Sequence, residues 1–102
     1  MRKGVLELCI LSIIAEKDAY ASDILEELKS ARLIVVEGTL YPLLTRLKNE
    51  GLLNYRWEES KSGPPRKYYT LTGIGSKVLD ELQLSWQELV KAVGRITSKK
   101  TS

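Results

Sequence analysis

The sequence predicts a mainly α protein (α+β) of four helices and one β-hairpin, ordered helix, helix, helix, strand, turn, strand, helix. Three observations carry that class. Residues 37–53 gather leucines on one helical face, and residues 53–71 alternate apolar and polar side chains around a Gly/Pro turn. Residues 78–96 hold an apolar seam at heptad-like spacing.

The bulk composition bounds the possibilities. A chain of 102 residues, 43% hydrophobic and 28% charged, is one domain's worth and can bury a modest core, which often gains stability by association. Histidine is absent, so a Ser–His triad and a histidine zinc site are excluded. There is no Gly-rich phosphate loop and no pair of carboxylates on a cleft, so neither an enzyme nor a metal or cofactor is expected. One cysteine cannot form an internal disulfide, which is compatible with a reducing cytosol. The net charge of +3 is unevenly placed. Residues 1–37 hold five basic and seven acidic side chains, residues 38–71 six against three, and residues 72–102 five against three. The gradient points to an anionic partner facing the middle of the chain.

Residues 4–16, GVLELCILSIIAE, are apolar almost all round and long enough to favour a helix over a strand. Such a helix is buried on most sides, and a second chain is expected to cover part of it. The stretch from Met1 to "AYA" imitates a secretory signal, but Glu7 breaks the apolar run and Glu16, Lys17 and Asp18 crowd the would-be cleavage point. It is therefore expected to stay, and no segment has the length of a membrane span. The second helix is expected from about Ser22 to Arg32, with Asp23 and Glu26 in capping-box spacing.

The third helix is EGTLYPLLTRLKNEGLL, with Thr39 as expected N-cap, Pro42 near the start and Gly51 as the stop. At 100° per residue, Leu40, Leu43, Leu44 and Leu47 share one face. Tyr41, Pro42, Thr45 and Asn49 share the other, flanked by Arg46 and Lys48, with no carboxylate near its centre. Then Leu53, Tyr55 and Trp57 alternate with Asn54, Arg56 and Glu58, and Tyr69 and Leu71 with Tyr68 and Thr70. Tyr55, Trp57 and Tyr69 are expected in the core, and Gly63, Pro64 and Pro65 at the tip of the hairpin. Thr72 is the expected cap of a last helix running to Ile96, with Val78, Leu82, Trp86, Leu89, Val93 and Ile96 along its seam. A rod of roughly 36 Å outreaches so small a body, so its far half needs a partner chain. Residues 98–102 are read as a frayed polar tail.

Three helices followed by a two-stranded flap form the winged variant of the helix-turn-helix. There the third helix enters the major groove and the wing meets the backbone nearby. A stiff wing tip would bring Lys61, Arg66 and Lys67 to phosphates with little entropy left to lose. This gives a winged helix-turn-helix domain at 1–71, a dimerisation helix at 72–97 and the tail.

GTLYPLLTRLKNEGLL, then a tryptophan, then GPPRKYYTLTGIG, in this order and spacing, resembles the PadR-type transcriptional regulators over roughly residues 4–97. The resemblance implies a cytosolic homodimer that binds a palindromic operator, usually represses, and releases DNA on binding an effector. The single C-terminal helix is similar to the short subfamily. By the same resemblance Thr39, Tyr41 and Pro42 face DNA, as does the wing from Lys61 through Ser62, Gly63 and Arg66 to Lys67. The helical wheel independently adds Thr45, Lys48 and Asn49. Val5, Leu8 and Cys9 join the seam residues in the expected dimer interface.

Trp86 falls where some short relatives have a pore between the two long helices, which implies stacking on a planar aromatic small molecule. Other readings stand beside these. Tyr41 as an aromatic packed on the second helix, Arg46 and Lys48 as solvated flanks, and Trp86 as an interface filler all fit the sequence. Cys9 reads as a small buried hydrophobe and not a redox switch. A winged protein-interaction module, or a ligand-binding dimer without DNA regulation, is the alternative function. The central basic balance argues against the first of these.

Overall fold

The computed structural model describes residues 3–60 and 62–98. Its elements are α1 (Lys3–Glu16), β1 (Ala19–Tyr20), α2 (Ala21–Ser30), α3 (Glu37–Asn49), β2 (Leu53–Ser60), β3 (Gly63–Leu71) and α4 (Gly73–Ser98). The strands make one antiparallel sheet in the order β1-β3-β2. The expected four helices and hairpin are present, and β1 is an addition: Ala19 and Tyr20 pair with Tyr69 and Tyr68. Two residues are too few for any periodic signal in sequence.

The core is one cluster fed by every element. Ile10, Leu11 and Ile14 of α1 meet Ile24 and Leu28 of α2, Leu40, Leu44 and Leu47 of α3, Leu53 of β2, Tyr69 of β3 and Leu79 of α4. The leucine face of α3 is fully inside, with Leu43 buried as well. Each such side chain contributes about 1.5–3 kcal/mol on burial, so four of them fix which face of α3 remains outside.

Both ends of the α2–α3 unit are set by the same local device. After α3, Gly51 adopts φ +82°. The Gly51 N–H donates to the Lys48 carbonyl and the Leu52 N–H to the Leu47 carbonyl, each at 3.0 Å, a Schellman ending. After α2 the same pair of bonds runs from Arg32 to Lys29 (2.9 Å) and from Leu33 to Leu28 (2.8 Å). Here the left-handed residue is Arg32, at φ 64°, where glycine would be the cheaper choice. Helix α2 thus ends two residues before the expected Arg32.

The helix starts also differ from expectation. Asp23 is not the cap of α2 but its third residue, accepting a hydrogen bond from the Tyr20 N–H at 3.0 Å. Helix α3 begins at Glu37 with Val36 as N-cap, so Thr39 lies inside the first turn, its N–H donating to the Val36 carbonyl at 3.0 Å. An acidic residue in that turn suits the helix dipole. Pro42 sits one turn further in, where its missing N–H leaves the Gly38 carbonyl free of its helical partner.

Thr72 is the cap of α4 as expected. Its Oγ1 accepts from the Gly75 N–H at 2.9 Å and lies 2.6 Å from the Gly51 carbonyl oxygen, to which it donates. The Thr72 N–H donates to the Leu52 carbonyl at 3.1 Å. One threonine therefore joins the end of α3 to the start of α4. At about 1.5 Å per residue α4 is ~39 Å long, which explains a longest dimension of 59 Å against 27 and 21 Å. Its first turns belong to the body, through Gly75 and Leu79, and the rest overhangs. The helix reaches Ser98, two residues past the expected Ile96, and the remaining residues of the expected tail lie outside those described.

Candidate nucleic-acid interface

The outward face of α3 presents Thr39, Tyr41, Pro42, Thr45, Lys48 and Asn49, all exposed, as the helical wheel required. No carboxylate occurs between Gly38 and Asn49. Arg46 does not belong to this face. Its guanidinium donates to Glu7 of α1 and, at 2.9 Å, to Glu50, so it is a tie between α1 and α3 and not a solvated flank. The Glu7 hydrogen bond raises its already high pKa further.

The wing is built in two layers by strand alternation. Leu53, Tyr55 and Trp57 lie opposite Leu71, Tyr69 and Lys67, on the side turned toward α3. Asn54, Arg56 and Glu58 lie opposite Thr70, Tyr68 and Arg66, on the other side. Along the inner layer burial falls from Leu53 (2% exposed) and Tyr69 (3%) to Trp57, which is 62% exposed. Trp57 was expected in the core, and the correction has a simple cause: the hairpin outgrows the body after Tyr55. Burial pushes the Tyr69 phenol up, with Tyr41 and Tyr55 adding to the rise.

Nor do the prolines form the tip. Pro64 and Pro65 are within β3, where Gly63 already pairs with Ser60, and the register slips between Glu58 and Ser60. Because β1 reaches only Tyr68 and Tyr69, that part of β3 has a free edge, where a missing N–H costs no ladder bond. Ser62, Gly63 and Arg66 are exposed and Lys67 is half-buried. Lys61, also expected here, lies outside the described residues.

The wing cations rest on aromatic rings. The Arg66 guanidinium lies 3.9 Å from the Tyr20 ring centre, and the Lys67 ammonium 4.7 Å from that of Tyr55 and 5.7 Å from that of Trp57. Lys48 reaches across from α3 to Tyr55 at 5.7 Å. Among the described residues no carboxylate pairs with Lys48, Arg66 or Lys67, whereas Arg56 is neutralised by Glu58 (2.7 Å) and Asp18 (3.4 Å). Ring contacts hold a cation in place while leaving its charge uncompensated. A cleft of ≈ 290 Å³ takes Tyr41 from α3, Ser22 from α2, Trp57 and Lys67 from the inner layer of the wing, and Tyr20 and Arg66 from the outer layer. Sequence reasoning missed Tyr20 and Trp57. The alternation that put Trp57 on the inner face carried no information on where the body ends.

Val5, Leu8, Leu82, Trp86 and Leu89 line a groove of ≈ 260 Å³ between α1 and α4. Val78, Leu82 and Cys9 are half-buried against the core, while Trp86 and Leu89 (41% each), Val93 (49%) and Ile96 (66%) stand in the open. Burial pushes the Cys9 thiol up, the direction of an inert thiol.

A three-helix core with a β-wing beside an exposed third helix defines a winged helix-turn-helix protein. The chain belongs to the PadR-like family of transcriptional regulators, whose sequence profile matches residues 10–81. A PadR-like transcription factor from Bacteroides fragilis is 64% identical, with a TM-score of 0.83 over 94% of this chain and 93% of that one. A PadR-like regulator from Bacillus cereus is 38% identical, with a TM-score of 0.82 over 93% of each chain. A transcriptional regulator of Mycobacterium tuberculosis is 30% identical over 92 residues, 90% of this chain and 85% of its own length. The family is one of regulators and not of enzymes. No described helix is long and apolar enough to cross a membrane.

Proposed function

We propose that the protein is a sequence-specific DNA-binding regulator that sits as a homodimer on a palindromic operator, represses, and is released by a small molecule. The observation that carries this reading is the carboxylate-free front of α3 beside a wing whose Arg66 and Lys67 have no acidic partner among the described residues. A duplex supplies what that surface lacks: phosphates for the cations and base edges for Tyr41, Thr45 and Asn49. Residues 1–71 are the reader and residues 72–97 the dimerisation helix in this scheme. Selection of random duplexes on the purified protein tests it. Enrichment of a palindrome with half-sites about one helical turn apart is expected. A pool that stays random at low salt overturns the proposal.

The release step rests on Trp86, which lines the α1–α4 groove with Val5, Leu8 and Leu89. An apolar groove with an indole wall suits a planar aromatic ligand. Binding is expected to quench the Trp86 emission, and a response that stays flat across a panel of planar cations counts against it.

A further inference from the structure

We infer that Trp57 is a DNA contact: its indole packs on the sugars of the strand that passes between α3 and the wing, while Lys67 beside it meets a phosphate. This rests on the DNA-binding reading above and deepens it. The argument starts from an oddity of burial. A tryptophan that is 62% exposed on the inner layer of a hairpin forgoes much of the largest apolar burial a side chain can offer. Among the described residues its one aromatic partner is Tyr55, edge-on at 5.8 Å, and with the Lys67 ammonium 5.7 Å from its ring centre most of the indole still stands uncovered.

Trp57 and Tyr41 of α3 line the same cleft, so the opening reaches the front of the helix. The lining combines rings with Arg66 and Lys67 and holds no carboxylate. An apolar peptide would strand those two charges, and an acidic peptide would leave the indole uncovered. A sugar–phosphate backbone satisfies both, since deoxyribose is apolar on its faces and each phosphate carries one charge. Tyr20, also in the lining, is packed at a tilt against Tyr68 at 4.7 Å and carries Arg66 at 3.9 Å, so the cation is already placed before DNA arrives.

The test uses the full chain labelled with 5-fluorotryptophan, giving one fluorine signal each from Trp57 and Trp86, assigned with Trp57→Phe. Addition of a short random-sequence duplex at low salt is expected to shift the Trp57 signal and remove its response to heavy water, leaving Trp86 unchanged. Trp57→Ala is expected to weaken binding about fivefold on specific and random duplexes alike, with the salt slope intact, because no charge is lost. Lys67→Ala should instead lower that slope by about one for each protomer bound. Binding with a still Trp57 signal overturns the inference and leaves the DNA-binding reading standing. So does a Trp57→Ala protein whose slope falls as for Lys67→Ala, since the indole would then only be holding the lysine. Covering of Trp57 with rising protein concentration and no DNA assigns the cleft to a second chain. No binding to any duplex removes both readings together.

Discussion

A methyl group added at Gly75 would stand 2.1 Å from the Leu52 carbonyl oxygen and 2.8 Å from a Leu71 methyl carbon. The first of these neighbours is backbone that is itself held by Thr72, so it cannot swing away. Gly75→Ala is therefore expected to cost about 3 kcal/mol, read as a fall of roughly 15 °C in Tm. An unchanged melt would mean that α4 does not enter the body where the structure puts it. Tyr41 is a different kind of residue, 47% exposed on the front of α3 with no core to support. Tyr41→Ala is expected to leave the melt within about 0.5 kcal/mol of the parent. It should bring the affinities for operator and random duplex closer together in a competition gel shift. Equal loss on both duplexes would make Tyr41 a backbone contact.

At the scale of elements, what the sequence made legible was what repeats. Four leucines at helical spacing identify both α3 and its buried face, because burial enforces that period, and the long apolar spacing of residues 78–96 identifies α4 as a helix. What it hid were short-range and relative facts. Two-residue β1 has no period, the α3 start moved from Thr39 to Val36 because Glu37 and Gly38 join the helix, and the prolines joined β3 because its edge there is free. The reach of the wing past the core, which exposes Trp57, depends on the size of the body and not on the strand's own pattern. The wing as a unit carries its own prediction. Arg66→Ala removes one cation held 3.9 Å over Tyr20 and clear of any carboxylate among the described residues. The slope of log affinity against log salt on the full operator is expected to fall by about 1.8, about 0.9 for each protomer of the pair. The Arg56→Ala slope should stay near that of the parent, since Glu58 and Asp18 already neutralise that charge. Equal slopes for the two variants would take the wing out of the interface.

For the whole molecule, the salient asymmetry is that one end is covered and the other is not. Over its first turns α4 is packed into the body, and beyond Leu82 it carries Leu84, Trp86, Leu89, Val90, Val93 and Ile96 at 41–66% exposure along a rod flanked by α1 only as far as Leu89. So much apolar surface on one helix suits the proposed dimer seam, and α1, apolar all round, adds Val5 and Leu8 beside it. The Arg46–Glu7 tie joins α1, at the proposed interface, directly to α3, the helix proposed to face DNA. Two readers held at a fixed separation gain effective concentration for the second half-site, worth a factor of about 10² to 10⁴. Val93→Glu places a charge in the seam far from the body, so the fold should survive while the pair comes apart. The expected outcome by sedimentation is a monomer with an unchanged helical spectrum. Operator affinity should fall at least about a hundredfold, and the salt slope to about half, since half the phosphate contacts are gone. A dimer that persists in Val93→Glu would move the interface off α4. A monomer that still binds the full operator with the parent's slope would mean that one chain makes every contact, and the palindrome would have no role.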